Sequence, residues 1–386
     1  MRDKIFTVPA PNLSDRKYAP VFVMGCHRSG TNLLYDMLLS SGGFAIYRGL
    51  LPIYGTLIPR FGSMKGRAHR EKLVETWLRS KGFRRTGLDA EQLSACILND
   101  CRTGGDFIRV VMDAVARSQQ VQRWAVYDAD SVLHVERVKR NLPNALFVHI
   151  IRDGRDIALS LKKMGGFTPL PWDRSQTESL VATALYWEWM VHQGRAHGRK
   201  FPADYIEIRY EDLITNPRET LGKLGGFIDH DLDYDRIQRA GLGRLSETNS
   251  SFREEGAKEK INPLGRWKER LARADVAALE ATVRECLQEN GYELSLPAAE
   301  RRRSLRQSWM RAMYPAFLSG KLWLKLHTPV GRLANMSVLE LEAEPAQAAE
   351  SVRFWGSDPP LARIADKGRM GIAESDAEPV AKSDAK

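Results

Sequence analysis

The chain has 386 residues, 43% of them apolar and 27% charged. That mixture supports a large packed core and excludes a chain that is disordered throughout. A formal charge of +10 and a pI near 9.4 suit an anionic partner: a phosphate-rich nucleotide, a nucleic acid, an acidic glycan or an anionic membrane surface. The four cysteines Cys26, Cys96, Cys101 and Cys286 form no CxxC pair, so neither a disulfide scaffold nor a metal cage is expected. Met1 to Pro20 carries no apolar run of signal-peptide length, and no stretch reaches the ~18 apolar residues of a spanning helix. A soluble, cytoplasmic protein of a reducing compartment is the expectation.

Val21-Phe22-Val23-Met24 is a short apolar run that ends at a glycine, the pattern of a buried parallel strand. From Thr31 to Ser41 apolar residues fall at Leu33, Leu34, Met37 and Leu38, which is helical spacing, and Gly42-Gly43 stops it. Ala90 to Ser118 reads as helix with a break at Gly104-Gly105. Trp124 to Tyr127 reads as a short strand, Val132 to Arg140 as a short helix and Leu146 to Ile151 as a second buried strand. Further on, Asp153 to Lys163 and Ser179 to Arg195 read as helices, Tyr205 to Ile208 as a strand, and Pro217 to Ile228 and Asp275 to Glu289 as helices. Strands alternating with helices predict an α/β fold, a central parallel sheet flanked by helices in three layers. Four segments are expected: an arm over 1–19, a phosphate-loop domain over 20–297, a basic, aromatic helical extension over 298–342 and a disordered tail over 343–386.

The most informative segment is Gly25-Cys26-His27-Arg28-Ser29-Gly30-Thr31-Asn32, between a predicted strand and a predicted helix. Two glycines allow the backbone to curl with its N–H groups inward, and the helix N-terminus adds partial positive charge, so the segment is an anion cradle. The glycine spacing matches a Walker A loop, but Thr31-Asn32 stands where Lys-Ser/Thr is required, and the cation lies inside the loop as Arg28. This disfavours an NTPase or kinase that draws a γ-phosphate into a Lys-plus-magnesium site. A guanidinium suits a two-pronged grip on phosphate or sulfate.

Arg-Ser-Gly-Thr after a buried strand resembles the 5′-phosphosulfate loop of sulfotransferases that use 3′-phosphoadenosine 5′-phosphosulfate (PAPS) and release PAP. The strand Leu146 to Ile151, Arg152-Asp153-Gly154-Arg155-Asp156 and then Ser160 is similar to that family's 3′-phosphate motif. Ile208-Arg209-Tyr210-Glu211-Asp212-Leu213 and Gly265-Arg266-Trp267-Lys268 are similar to its later strand-and-turn and its late basic cofactor loop. The matches run in family order from Val21 to about Leu294, closest to the bacterial and tyrosylprotein types. The resemblance implies a P-loop-containing fold and transfer of a sulfuryl group from PAPS to an acceptor hydroxyl or amine. It also implies cofactor contacts from His27, Arg28, Ser29, Gly30, Thr31, Asn32, Arg152, Ser160, Tyr210, Arg266, Trp267 and Lys268, with Arg28 catalytic.

The acceptor side departs from the pattern. Relatives carry a catalytic Glu some twenty residues after the loop arginine, and a Lys shortly before the 3′-phosphate strand. Here the first place reads Ile46-Tyr47-Arg48-Gly49-Leu50-Leu51 and the second Val126-Tyr127-Asp128-Ala129-Asp130. Asp128 is the first candidate for the base, with Asp130 and His27 behind it. Asp128 equally suits the N-cap of the helix that follows. A catalytically silent relative that binds PAPS or PAP as a module is the alternative, and a nucleic-acid binder lacks any motif. His69 and His134 stand outside any recognisable constellation. Tyr186 to Trp189 could line an acceptor pocket, but Leu185, Trp189 and His192 at helical spacing read more as a core face. Arg301 to Leu333 reads as a helix packed on the domain with a solvated basic face, or else as a membrane-surface element. The acceptor, whether carbohydrate, lipid, peptide or secondary metabolite, cannot be read from the chain.

Overall fold

The computed structural model describes residues 16–164, 175–240 and 262–341; the predicted arm falls largely, and the predicted tail wholly, outside them. Strands β1 (Val21–Met24), β2 (Ala125–Tyr127), β3 (Leu146–Ile151) and β4 (Tyr205–Arg209) form a parallel sheet in the order β2-β1-β3-β4. Val23 pairs with Tyr127 on one side and Val148 on the other, and Ile151 pairs with Arg209. The period of two along a strand sorts the side chains. Val21 and Val23 join Val148, Ile150 and Ile208 in one core, and Phe22 and Met24 join Phe147 and Ile151 in a second. Helix α1 (Thr31–Ser40) buries Leu34, Tyr35, Met37 and Leu38 in the first core with Leu221 and Leu224 of Pro217–Ile228. The second core takes Gly104–Ser118, Arg273–Thr282 and the 23-residue Gln176–Gly198. The fold is therefore a three-layer α/β sandwich of the P-loop-containing class.

Several expected boundaries move. Ala90–Asp100 and Gly104–Ser118 separate at Cys101 to Thr103, where Thr103 and Asp106 form a reciprocal capping box, so a cap starts the new helix rather than glycine breaking an old one. The turn after β2 is a 3-10 helix, Ala129–Leu133, followed by Val135–Asn141. Asp275 to Glu289 is two helices, Arg273–Thr282 and Arg284–Glu289. A π-helix over Ile53–Leu57 and a helix over Arg67–Leu78 were not expected from the pattern. Leu185 and Trp189 are buried, as the core reading of that run expects, together with Tyr186 and Trp187, but His192, expected on the same face, is exposed.

In the order 2-1-3-4 the chain reverses its winding between β1 and β3, and ligands of open α/β sheets bind outside the strand ends at that reversal. The carboxyl ends read, across the sheet, Asp128, the loop from Gly25, Arg152 and Tyr210.

Candidate active site

Two glycines and one strained arginine shape the loop. A Cβ on Gly25 would lie 2.3 Å from the Ile150 carbonyl oxygen, so the backbone of β1 can approach β3 this closely only without a side chain. Gly30 has φ +98°, and a Cβ there would meet the Tyr210 ring at 2.4 Å. Arg28 takes φ +73°, a conformation that costs a non-glycine residue about 1–2 kcal/mol. The N–H of Ser29 donates to the Cys26 carbonyl at 3.0 Å, closing the turn that opens α1.

Arg28 donates from Nε to the Ser160 hydroxyl at 3.1 Å; Ser160 lies in helix α2 (Gly154–Lys163). Arg152, at the end of β3, donates to the carbonyls of Arg28 at 3.2 Å and Pro263 at 2.6 Å, reaches Asp156 at 3.5 Å and stacks on the Tyr210 ring at 4.5 Å. Burial, then the charges of Arg152 and Arg266, push Arg28 down to about 10. Burial and Arg152 lower Arg266 likewise. Three guanidiniums thus crowd one partly desolvated place, an arrangement that an anion relieves. Two buried polar atoms of the loop and of β3's end, Ser29 Oγ and Arg152 Nε, have no hydrogen-bond partner among the described residues, and buried groups of that kind ordinarily find one.

The late loop is fastened to α2 by its own machinery. The Asp156 carboxylate accepts from the N–H groups of Gly265 at 2.9 Å and Trp267 at 3.0 Å. Asp153 accepts from the Trp267 indole at 3.1 Å and from Arg155 at 2.8 Å, while Arg155 also binds Glu280 at 2.6 Å and lies 3.8 Å over the Trp267 ring. Of the three predicted residues here, Arg266 turns its charge toward Arg28 and Arg152. Trp267 is buried in the clamp, and Lys268 is exposed with its amine over the Trp267 ring. Tyr210 lies beneath the loop, between Gly30 and Arg152, Thr31 is buried at the start of α1, and Asn32 is exposed.

On the β2 side the groups are acidic and imidazole. His27 Nε2 stands 3.5 Å from Asp130. Asp128 accepts from the N–H of Asp130 at 3.1 Å, so it does cap the 3-10 helix. Burial first, and then the neighbouring charge of Asp130, raise Asp128 to about 7. Burial works against ionisation of Asp130 too, but the hydrogen bond and charge of His27, with Lys325 behind it, hold its carboxyl below the usual range. His134 belongs to this group although its sequence context did not suggest it: both Asp130 and His134 come within 4 Å of where a Gly55 Cβ would stand. Burial lowers His134 to about 3, so it is neutral. Asp130 and His134 are four apart across a single turn, a spacing that the sequence offered. Asp128, His134, Gly49 and Tyr54 line a cavity of about 20 Å³, room for roughly one water.

A profile of the sulfotransferase family matches residues 20–234, more than half of the chain. The chain belongs to the sulfotransferase family. Mouse sulfotransferase 1B1 is 26% identical over 97 residues, which are 24% of this chain and 32% of that protein. Among solved structures, the sulfotransferase domain of the Synechococcus PCC 7002 olefin synthase has a TM-score of 0.48 at 19% identity, covering 72% of this chain and 96% of that domain. A retinol dehydratase solved with androsterone and the inactive cofactor PAP has a TM-score of 0.36 at 15% identity, covering 74% and 84%. Among the described residues no helix is long and apolar enough to cross a membrane.

Proposed function

We propose that the protein transfers a sulfuryl group from PAPS to an acceptor hydroxyl or amine. The observation that carries this reading is the cradle between β1 and β3, where the guanidiniums of Arg28, Arg152 and Arg266 crowd one another and the buried Ser29 Oγ and Arg152 Nε have no hydrogen-bond partner among the described residues. That donor set fits a ligand with two separate anionic groups. The loop from His27 to Asn32 faces the phosphosulfate, and Arg152, Ser160 and the 265–268 loop, seated by Tyr210, face the 3′-phosphate. PAPS supplies the activated sulfuryl group, and the rest of the chemistry falls to this chain. Arg28 offsets charge on the bridging and sulfuryl oxygens as the sulfur–oxygen bond to PAP breaks. Asp128 takes the acceptor proton as the new oxygen–sulfur or nitrogen–sulfur bond forms. A carboxyl titrating near 7 is matched to that task at neutral pH. Asp130, kept ionised by His27, holds Asp128 in that range by its negative charge.

The test is binding followed by turnover. PAP raises the melting temperature through linkage, and ATP with magnesium does so much less. Arg152→Ala weakens PAP more than adenosine 5′-phosphosulfate, which has no 3′-phosphate. Equal loss for the two ligands refutes the place given to Arg152. Radiolabelled PAPS with a host extract then identifies the acceptor from the labelled product. Tight PAP binding with no labelled product across broad acceptor sets moves the protein to the silent-relative reading.

A further inference from the structure

A second feature lies outside the cradle, on the long helix α3 (Leu305–His327), which Ser304 and Gln307 cap reciprocally. One side of it is core: Met310, Tyr314 and Leu318 are buried with the second core, and Trp189 donates to Ser319 at 3.0 Å. Arg311 binds Glu188 at 2.9 Å and Glu285 at 3.1 Å, Arg303 binds Glu285 and Arg306 binds Glu178, which fix the helix to the body. The outward side is apolar, against the expectation of a solvated basic face. Leu305, Trp309, Met313, Trp323 and Leu324 are exposed, Leu305 by 92% and Trp323 by 56%. At 100° per residue they fall within about one third of the circumference, along about 30 Å of helix. Most of the large exposed apolar residues described in this protein are on this single stripe.

The surrounding charge says what covers it. From Arg301 to Leu339 the chain has eight Arg and Lys and no Asp or Glu; Arg303, Arg306 and Arg311 are paired with carboxylates of the body. Arg302 and Arg332, both exposed, stand at the two ends of the stripe. Two tryptophans on an exposed apolar stripe, inside a segment without a single carboxylate and in a chain of charge +10, are complementary to a lipid surface that is apolar at acyl depth and negative at headgroup depth.

We propose that the exposed face of α3 lies in the interface of an anionic membrane, its apolar stripe among the acyl chains and its basic ends on the headgroups. The same helix sends Lys325 toward Asp128 and Asp130, and the turn that follows it, Pro329–Leu333, packs on Pro59 beside the π-helix of the acceptor side. The candidate cleft therefore adjoins the docked helix.

Sedimentation of the full chain with sucrose-loaded vesicles tests this. Vesicles of phosphatidylcholine with roughly one third phosphatidylserine carry the protein down, those of phosphatidylcholine alone do not, and added salt weakens the binding. Trp309→Ser with Trp323→Ser lowers the partition at least about tenfold at unchanged melting temperature and circular dichroism. Arg302→Glu with Arg332→Glu lowers it on the anionic vesicles. No binding to anionic vesicles, or equal binding to both kinds, overturns the proposal. A concentration-dependent dimer that the tryptophan variant abolishes, with no vesicle binding, overturns it in favour of a second copy of the chain on this face.

Discussion

Gly30→Ala is the sharpest single test of how the loop is built. The residue takes φ +98°, and a Cβ would lie 2.4 and 2.6 Å from two atoms of the Tyr210 ring. The backbone conformation alone costs about 1–2 kcal/mol with any side chain. The ring must then move by about 1 Å to restore van der Waals contact, within a buried site, which adds about 1–3 kcal/mol of overpacking. The same ring carries Arg152 on it at 4.5 Å, so the displacement reaches the guanidinium proposed to hold the 3′-phosphate. The expected outcome is a loss of about 2–5 kcal/mol of stability and a disproportionate loss of PAP binding. Denaturant unfolding and titration calorimetry read these two. Gly222→Ala is the matched control. That glycine lies in Pro217–Ile228 with nothing within 4 Å of its would-be Cβ, so the change is expected to stabilise by about 0.5–1 kcal/mol. A Gly30→Ala protein as stable and as tight for PAP as its parent refutes the reasoning.

The other predictions concern charge and chemistry. Arg28→Lys keeps the positive charge but loses the planar fork, and kcat is expected to fall by about 10² or more while PAP affinity changes little; stopped assays under saturating PAPS check it, and near-normal turnover assigns the sulfuryl group to other donors. Asp128→Asn keeps a capping side chain but removes the base, so turnover is expected to fall by about 10²–10⁴ and the acidic limb of the pH–rate profile, near pH 7, to vanish. Asp130→Asn differs in kind: it removes the charge that helps raise Asp128, so the acidic limb is expected to move to lower pH rather than disappear. Stability responds with the opposite sign from an ordinary paired carboxylate. Asp128 binds its proton more tightly folded than unfolded, so its contribution declines as pH rises from about 4 to about 7, and Asp128→Asn is expected to raise the melting temperature at pH 8 but not at pH 4.

The donor half of the site was legible because it is local. A buried strand, a glycine whose place has no room for a Cβ beside the Ile150 carbonyl and a helix N-terminus all fall within residues 21–40, and the signals agree. Arg152 and Ser160 were legible for the same reason, as the end of β3 and the helix after it. The acceptor half is assembled from Gly49 to Leu57, Asp128 to His134 and Lys325, pieces whose proximity no periodicity records. His134 was passed over because its neighbours in sequence are ordinary and only the turn after β2 brings it to Asp130. The helix Arg67–Leu78 was missed because its charged residues, one of them the buried Arg70, hide the few apolar ones that it buries, Leu73, Val74 and Trp77. The outward face of α3 ran against expectation since the arginines of that segment turn inward onto Glu178, Glu188 and Glu285 and leave the apolar side outside.

The positive φ of Arg28 separates two neighbours in the chain. His27 goes to Asp130 on the β2 side and Arg28 to Ser160 on the β3 side. Evolution, or an engineer, can therefore treat the two halves as independently variable parts with a single peptide as the seam. Gly49 to Leu57 lie on the β2 side, whereas a change at Asp130 reaches the loop through His27. A library that retains His27, Arg28, Asp128 and Asp130 and varies the rest of the β2 side therefore explores new acceptors with the proposed base and the donor loop kept.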